Sequence, residues 1–110
     1  MTVEVEGRKY RIYWHYEKVE RLAVTGISLD DMTTCVVMQS IKRESDGLSV
    51  WYNIGVGVIV RYYKDKFDKD LARKKSLTQA LDNVSQCEWF GKKERTEIWK
   101  AYYKMRNNKW

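Results

Sequence analysis

Alternation of apolar and polar residues near the start of the chain predicts a β-hairpin. Val3 and Val5 alternate with glutamates, and every second residue from Tyr10 to Tyr16 is aromatic or aliphatic. A period of two is that of a half-buried strand, and the turn is predicted within residues 6–9. The opposite face of the second strand carries Arg11, Tyr13, His15 and Glu17. An exposed tyrosine there can anchor a protein interface, whereas a register shifted by one residue would bury this face.

Two further strands are predicted beyond a less regular stretch. Residues 17–32 lack a clean period and contain Gly26 and two adjacent aspartates, so we interpret them as a connection. The segment TTCVVMQSIK, residues 33–42, is rich in β-branched residues and predicts a third strand, and the turn RESDG leads to a fourth at 48–63. Gly55 and Gly57 interrupt that strand, which indicates a bulge or the close approach of another element.

Beyond Tyr63 the spacing of apolar residues becomes that of a helix. Asp65 is the predicted N-cap of a first helix, and Gly91 precedes a second helix at 92–105. The predicted apolar stripes comprise Phe67, Leu71, Leu77, Leu81 and Val84 in the first helix and Ile98, Trp99, Tyr102 and Met105 in the second. The pattern predicts an α+β fold with a four-stranded antiparallel sheet followed by two C-terminal helices packed on one face. We expect residues 1–110 to form a single domain.

The composition is that of a folded, basic protein. Of the 110 residues, 44% are hydrophobic, and the net charge is +6. A chain this apolar is expected to bury a core, which places the charge on a folded body rather than on a disordered tail. The sequence contains no apolar run long enough to cross a bilayer, and its charged N-terminus is unlike a signal peptide, so we expect a cytosolic protein. Cys35 and Cys87 lack the spacing of a zinc site and are predicted to be free thiols.

Positive charge is concentrated in the C-terminal half. Residues 1–60 contain seven lysines and arginines against eight acidic residues, whereas residues 61–110 contain fourteen against seven. A basic half is expected to attract phosphates or an acidic protein surface. The predicted partner-binding residues are Lys64, Lys66, Lys69, Lys74, Lys75, Lys92, Lys93, Arg95 and Lys100 on the helical side, with Tyr13 and His15 on the sheet. The order of elements matches neither the RRM pattern nor a double-stranded-RNA-binding domain, and the sequence shows no helix-turn-helix with a recognisable recognition helix.

Residues suited to catalysis are sparse in the sequence. His15 is the sole histidine and has no neighbouring serine or cysteine to activate. Asp65, Asp68 and Asp70 alternate with lysines that would weaken a site for a hard cation, and Asp70 is spaced to pair with Lys74 one helical turn away. The glycines of IGVGV lack the spacing of a phosphate-binding loop. The sequence therefore predicts a protein that is not an enzyme and that holds no cofactor or metal.

Three short motifs resemble those of a family of small phage and prophage accessory proteins. They comprise Thr33, Thr34 and Cys35 in a strand; Lys64, Asp65, Phe67, Arg73, Leu77, Ala80 and Leu81 around the first helix; and Arg95, Ile98, Trp99 and Tyr102 in the second. Ala72 replaces the family's usual glycine and Ser76 its usual alanine, so helix packing is expected to differ locally. The resemblance implies an accessory protein that binds and inhibits host machinery, including restriction and CRISPR systems.

Charge and resemblance together give three functional hypotheses. The leading one is a non-enzymatic phage inhibitor that acts in the host cytoplasm. It would bind a bacterial defence or nucleic-acid-handling protein, such as a nuclease or a CRISPR effector, through its basic helical side and block access to nucleic acid. The alternative is a sequence-tolerant protein that binds DNA or RNA directly, with an affinity that falls steeply with salt. The third is a structural or assembly factor that self-associates.

Overall fold

A four-stranded antiparallel sheet followed by two helices makes up the protein, and this confirms the predicted α+β class. The computed structural model describes residues 1–23, 26–61, 68–84 and 90–109. The strands are β1 (Thr2–Val5), β2 (Arg8–Ala23), β3 (Gly26–Lys42) and β4 (Ser49–Arg61), and the helices are α1 (Lys69–Asn83) and α2 (Lys92–Lys109). In the sheet the strands lie in chain order. Both helices pack on one side of the sheet, which we call the covered face, and the other side is the open face.

The first hairpin turns where the sequence predicts it. Val5 pairs with Arg8, so Glu6 and Gly7 form a two-residue turn. Both turn residues have positive φ, 50° for Glu6 and 81° for Gly7. A two-residue turn with positive φ at both positions matches the twist of the flanking strands, and glycine adopts this conformation without steric cost.

The prediction of a connection at residues 17–32 is wrong, because both β2 and β3 continue through this stretch. Lys18 pairs with Asp31 and Leu22 pairs with Ile27 across the ladder. Charged side chains occupy both sides of this ribbon, so the alternation of apolar and polar residues that identifies a half-buried strand is missing. We call residues 17–23 and 26–30 the arm, because the pairing of β4 with β3 among the described residues ends at Asp31.

The core lies between the covered face and the helices. From the sheet it receives Tyr10, Ile12, Cys35 and Val37, and from the helices and their flanks Leu77, Leu81, Val84, Phe90, Ile98 and Tyr102. Cys35 is a free thiol, as predicted, and its burial raises the pKa of that thiol from 9.0 to about 12. Cys87 lies outside the described residues.

Helix α1 begins three residues later than an N-cap at Asp65 would place it. The N-cap is Asp68, whose side-chain Oδ1 accepts a hydrogen bond of 3.1 Å from the backbone N–H of Leu71. Asp65, the predicted N-cap, and Phe67 both lie outside the described residues. Leu71, predicted to be in the apolar stripe, is 47% exposed.

The face that α1 turns to the sheet is lined by small residues at a spacing of four. Ala72, Ser76 and Ala80 are buried there, and so are the larger residues Leu77 and Leu81. Ser76 keeps its buried hydroxyl satisfied by donating to the carbonyl oxygen of Ala72 at 2.7 Å. Leu71 lies one residue before Ala72 and therefore outside this seam of small residues. The sequence predicts Leu71 to be buried because it is large and hydrophobic, whereas the buried seam consists of smaller residues.

Gly55 and Gly57 allow the backbone of α1 to approach β4 closely, as one of the two predicted explanations has it. A Cβ atom on Gly57 would lie 2.0 Å from the carbonyl oxygen of Ser76, and one on Gly55 would lie 2.4 Å from that of Ala80. Only glycine leaves room for a helix backbone at this distance. The other predicted explanation, a bulge, also holds, because the β3–β4 register shifts between Val37 and Met38.

Helix α2 packs by the predicted stripe. Ile98 and Tyr102 are buried, and Trp99 and Met105 are partly buried against the core. The Tyr102 hydroxyl donates a hydrogen bond of 2.5 Å to Oδ1 of Asp70, which joins α2 to α1. The helix extends past the predicted end at 105 as far as Lys109.

Candidate protein-binding surface

The basic residues predicted to bind a partner lie on several different parts of the helical side. Lys69, Lys74 and Lys75 belong to α1, and Lys92, Lys93, Arg95 and Lys100 belong to α2. Lys64 and Lys66 lie outside the described residues. Arg95 is only half-exposed. Binding through these residues stays a prediction. The attraction that they can exert on a partner depends on how many of the positive charges lack a neighbouring carboxylate.

Three of these lysines form ion pairs with acidic residues of the same protein. Lys74 lies 3.3 Å from Oδ2 of Asp70, as the sequence predicts, and Lys100 lies 3.4 Å from Oε1 of Glu97. Lys93 reaches from α2 to Glu6 in the first turn, at 2.5 Å. The hydrogen bond from Lys93 lowers the pKa of Glu6 below its usual value, and the same bond raises the pKa of Lys93. Both charged forms are therefore favoured, and the pair reduces the net charge of that surface.

The remaining described lysines are separated from one another. Lys69 lies over the ring of Tyr16, 5.0 Å from its centroid, in a cation–π contact. Lys75 and Lys92 are exposed on different helices, and within the described ranges neither is paired with a carboxylate. Lys75 lines a shallow groove of about 400 Å³ between α1 and β4, which also includes Lys74 and Asp82. This groove carries both signs of charge.

Tyr13 and His15, the other predicted contacts, both lie on the open face and are exposed, with Tyr13 at 42%. The register of the sheet sets three strands side by side on this face. Its rows are Arg11, Met38 and Asn53; Tyr13, Val36 and Val56; His15, Thr34 and Val58; and Glu17, Met32 and Val60. The alternation of β2 correctly predicts which residues of that strand face outward.

A column of valines on β4 makes the open face unusually apolar. Val56, Val58 and Val60 are 39%, 40% and 45% exposed. Their positions follow from the glycines, because residues 55 and 57 must face α1 and the alternate residues must then face outward. Apolar residues placed side by side on an exposed surface are typical of a protein-binding site, whereas isolated ones need no explanation.

Aromatic and charged groups border the valine column. The guanidinium of Arg11 lies 4.3 Å from the centroid of the Trp51 ring, a cation–π contact at one end of the face. Glu17 lies at the other end, so the charges of β2 on this face nearly balance. An apolar column with polar and aromatic side chains on the same face has the composition of a protein interface rather than that of a phosphate-binding surface.

The valine column and Trp51 were not identified as candidate residues from the sequence. The signal that could have found them is the repeat IGVGVIV, in which small and large residues alternate. If the glycines face a helix, the valines must face solvent, where they do not contribute to the core.

Metal clusters and membrane-spanning helices are absent from the described part of the chain. Among residues 1–23, 26–61, 68–84 and 90–109, no group of three histidine, cysteine or acidic side chains is placed to hold a metal ion. None of the described helices is long and apolar enough to span a membrane. Searches of protein-family models, curated proteins and solved structures found no match to this chain.

Proposed function

We propose that this protein is a non-enzymatic inhibitor that binds another protein through the open face of its sheet. The observation that carries the proposal is the exposed apolar column Val56, Val58 and Val60, which lies on the same face of the sheet as Tyr13. Burying exposed apolar side chains supplies most of the free energy of protein association, and an exposed tyrosine commonly contributes strongly. The target class, a bacterial defence or nucleic-acid-handling protein, rests on the resemblance to phage accessory proteins.

The principal contact with the partner is then on the sheet, and not on the basic helices as the sequence alone predicts. Lys74, Lys93 and Lys100 already interact with carboxylates of the same chain, so they offer an acidic partner less free positive charge than the sequence suggests. In contrast, a partner that covers the open-face valines displaces only solvent. Lys69, Lys75 and Lys92 can still draw an acidic partner towards the protein, because long-range attraction does not require a specific contact.

Affinity capture with matched lysine substitutions tests the proposal. Val58→Lys places a charge in the middle of the valine column on β4, and Thr78→Lys adds the same charge at an exposed position of α1. From a nuclease-treated bacterial lysate, the wild type and Thr78→Lys should recover the same stoichiometric protein, and Val58→Lys should lose it. The captured protein should also bind less nucleic acid when the wild type is added. Retention of the partner by Val58→Lys would contradict the open-face contact.

Direct binding of nucleic acid is the competing outcome of the same experiment. It predicts that the captured material is nucleic acid, that nuclease treatment removes it, and that recovery falls steeply as salt rises. The double variant Lys75→Glu and Lys92→Glu should then abolish recovery, because both positions are exposed. Under the open-face proposal the same double variant keeps the protein partner and slows only its association.

A further inference from the structure

The outer edge of β2 is largely unpaired. Strand β1 pairs with β2 only from Arg8 to Arg11, and Met1 bonds both backbone groups of Ile12, at 2.8 and 3.1 Å. Backbone groups of a strand point to alternate edges, so every second residue after Ile12 points the same way. These residues are Trp14, Tyr16, Lys18, Glu20 and Leu22. Within the described ranges none of their outward N–H and C=O groups has a hydrogen-bond partner, and a row of this kind is a template for another strand.

The arm also exposes apolar side chains, of which Leu22 lies on the strand that would gain a neighbour. Leu22 is 86% exposed, Ile27 68% and Leu29 54%. The register places all three on one side of the arm, because Leu22 pairs with Ile27 and Glu20 pairs with Leu29. A ribbon of two strands is marginally stable alone in water, whereas three or more strands with an apolar side are stable.

Charge complementarity indicates that the added strand is β2 of a second copy. In a symmetric antiparallel pair, an axis at residue 17, 18, 20 or 21 sets like charges directly opposite each other, which is destabilising. An axis at Tyr16 brings residue 20 of the second copy against Ile12, whose outward groups Met1 already occupies. An axis at Val19 avoids both problems.

The register centred on Val19 satisfies every charged residue along the edge. It sets Val19 opposite Val19, Lys18 opposite Glu20 of the second copy, and Tyr16 opposite Leu22. Glu17 then lies opposite position 21, which is an arginine. Lys18 already pairs with Asp31 in its own chain, so it would lie between two carboxylates. The exposed Leu22 side chain would be covered by the ring of Tyr16.

We infer that two copies of this chain associate through the outer edge of β2, with Val19 on the two-fold axis. The two four-stranded sheets then form one continuous sheet, and each arm gains two strands along its free edge. The open faces of the two copies become a single surface. This inference is independent of which protein binds there.

Exchanging the charges at positions 18 and 20 tests the inference without relying on loss of folding. In Glu20→Lys both copies carry lysines at 18 and 20, and in Lys18→Glu both carry glutamates. Each variant alone should have a dimer dissociation constant at least about tenfold above the wild type, because favourable cross-strand pairs become repulsive ones. An equimolar mixture should form a heterodimer, in which every lysine again faces a glutamate. Sedimentation at several concentrations measures all four samples.

Disulfide formation provides a second measurement at single-residue resolution. Directly opposite residues in a non-hydrogen-bonded pair have Cα atoms about 4.5 Å apart, within the range of a disulfide. In a Cys87→Ser background, Val19→Cys should therefore cross-link two copies on oxidation, while buried Cys35 stays reduced. Glu17→Cys, on the same face, is the control, because its copies would be roughly 14 Å apart along the strands. A wild type that is monomeric into the millimolar range, an unchanged dimer in Glu20→Lys, or equal cross-linking at 17 and 19 would overturn the inference.

Discussion

Strand β4 presents opposite chemistry on the two faces of the sheet. Towards α1 it places Gly55 and Gly57, which have no side chain, and towards solvent it places Val56 and Val58, which have branched apolar ones. In an ordinary half-buried strand the large apolar residues face the core and the small or polar residues face water. Here the contact with α1 is made by backbone, so the valines are not needed to fill the core.

The two faces are therefore under different physical demands. On the covered face the distance between α1 and β4 leaves no room for even a methyl group. On the open face the valine side chains have room to change, and we propose that they contact a partner. Substitutions on the two faces should consequently differ in what they damage: stability on one, binding on the other.

Gly57→Ala should give the largest loss of stability, because it adds a side chain where α1 and β4 are closest. The new Cβ would lie 2.0 Å from the carbonyl oxygen of Ser76, so the helix must move away from the strand. We expect a loss of about 3 kcal/mol in the free energy of unfolding, at the upper end of overpacking effects. Urea denaturation measures it. Gly91→Ala is the control, because the nearest atom to its Cβ would be 3.8 Å away, and an equal loss there would contradict the explanation.

Removing the side-chain amides of α1 should give the next largest effect. Asn83 donates to the carbonyl oxygen of Val56 at 2.6 Å, and Gln79 accepts from the N–H of Val58 at 2.5 Å. The double substitution to alanine should cost roughly 1 to 2 kcal/mol, from two lost hydrogen bonds. Alanine favours helix more than either residue, so a net loss in urea denaturation reports the bonds themselves. Thr78→Ala, also exposed on α1, should leave stability nearly unchanged.

Cys35 should make the stability of the covered face depend on pH, because its thiol is buried there, opposite Gly57. Burial holds its folded pKa at about 12, above the ordinary 9.0, so the unfolded chain releases the proton first. The stabilisation from the neutral thiol is therefore complete below pH 9 and is lost as pH rises towards 12. At one pH unit above 9.0, the stability advantage of the wild type over Cys35→Ala should shrink by about 1 kcal/mol. Equal pH profiles of unfolding in the two proteins would contradict the buried thiol.

Val58→Lys should give the smallest change in stability. Its side chain is 40% exposed, and the long stem of lysine can extend into solvent. Urea denaturation should detect a change within about 0.5 kcal/mol, typical of surface substitutions. The same variant is expected to lose its protein partner, so stability and binding separate at this residue. A large loss of stability would place Val58 in the core and remove the reason for an open binding face.

The sequence predicts an element of this fold correctly where hydrophobicity alone determines which side of the element is buried. The strand alternation around Tyr13 and the α2 stripe around Ile98 are predicted correctly, because one side of each element is apolar and the other polar. The arm is missed because charge occupies both of its sides. Leu71 is misplaced because the seam of α1 is selected for small size, as at Ala72 and Ser76, rather than for hydrophobicity.

The same reasoning applies to the candidate surface. The pairing of Asp70 with Lys74 is local and follows from helical spacing, so the sequence predicts it. The pairing of Lys93 with Glu6 joins elements far apart in the chain and depends on the packed structure. Net charge by segment is therefore an incomplete guide to surface charge, because the fold decides which charges neutralise each other.

The order of strands in the sheet, which repeats their order in the chain, bears on how the protein is made. Each strand pairs with the one synthesised just before it, so hairpins can form in succession while the polypeptide is still emerging from the ribosome. The glycines of β4 stay uncovered until α1 has been translated. Until both helices have left the ribosome, the sheet has no element to cover the side that will become its covered face.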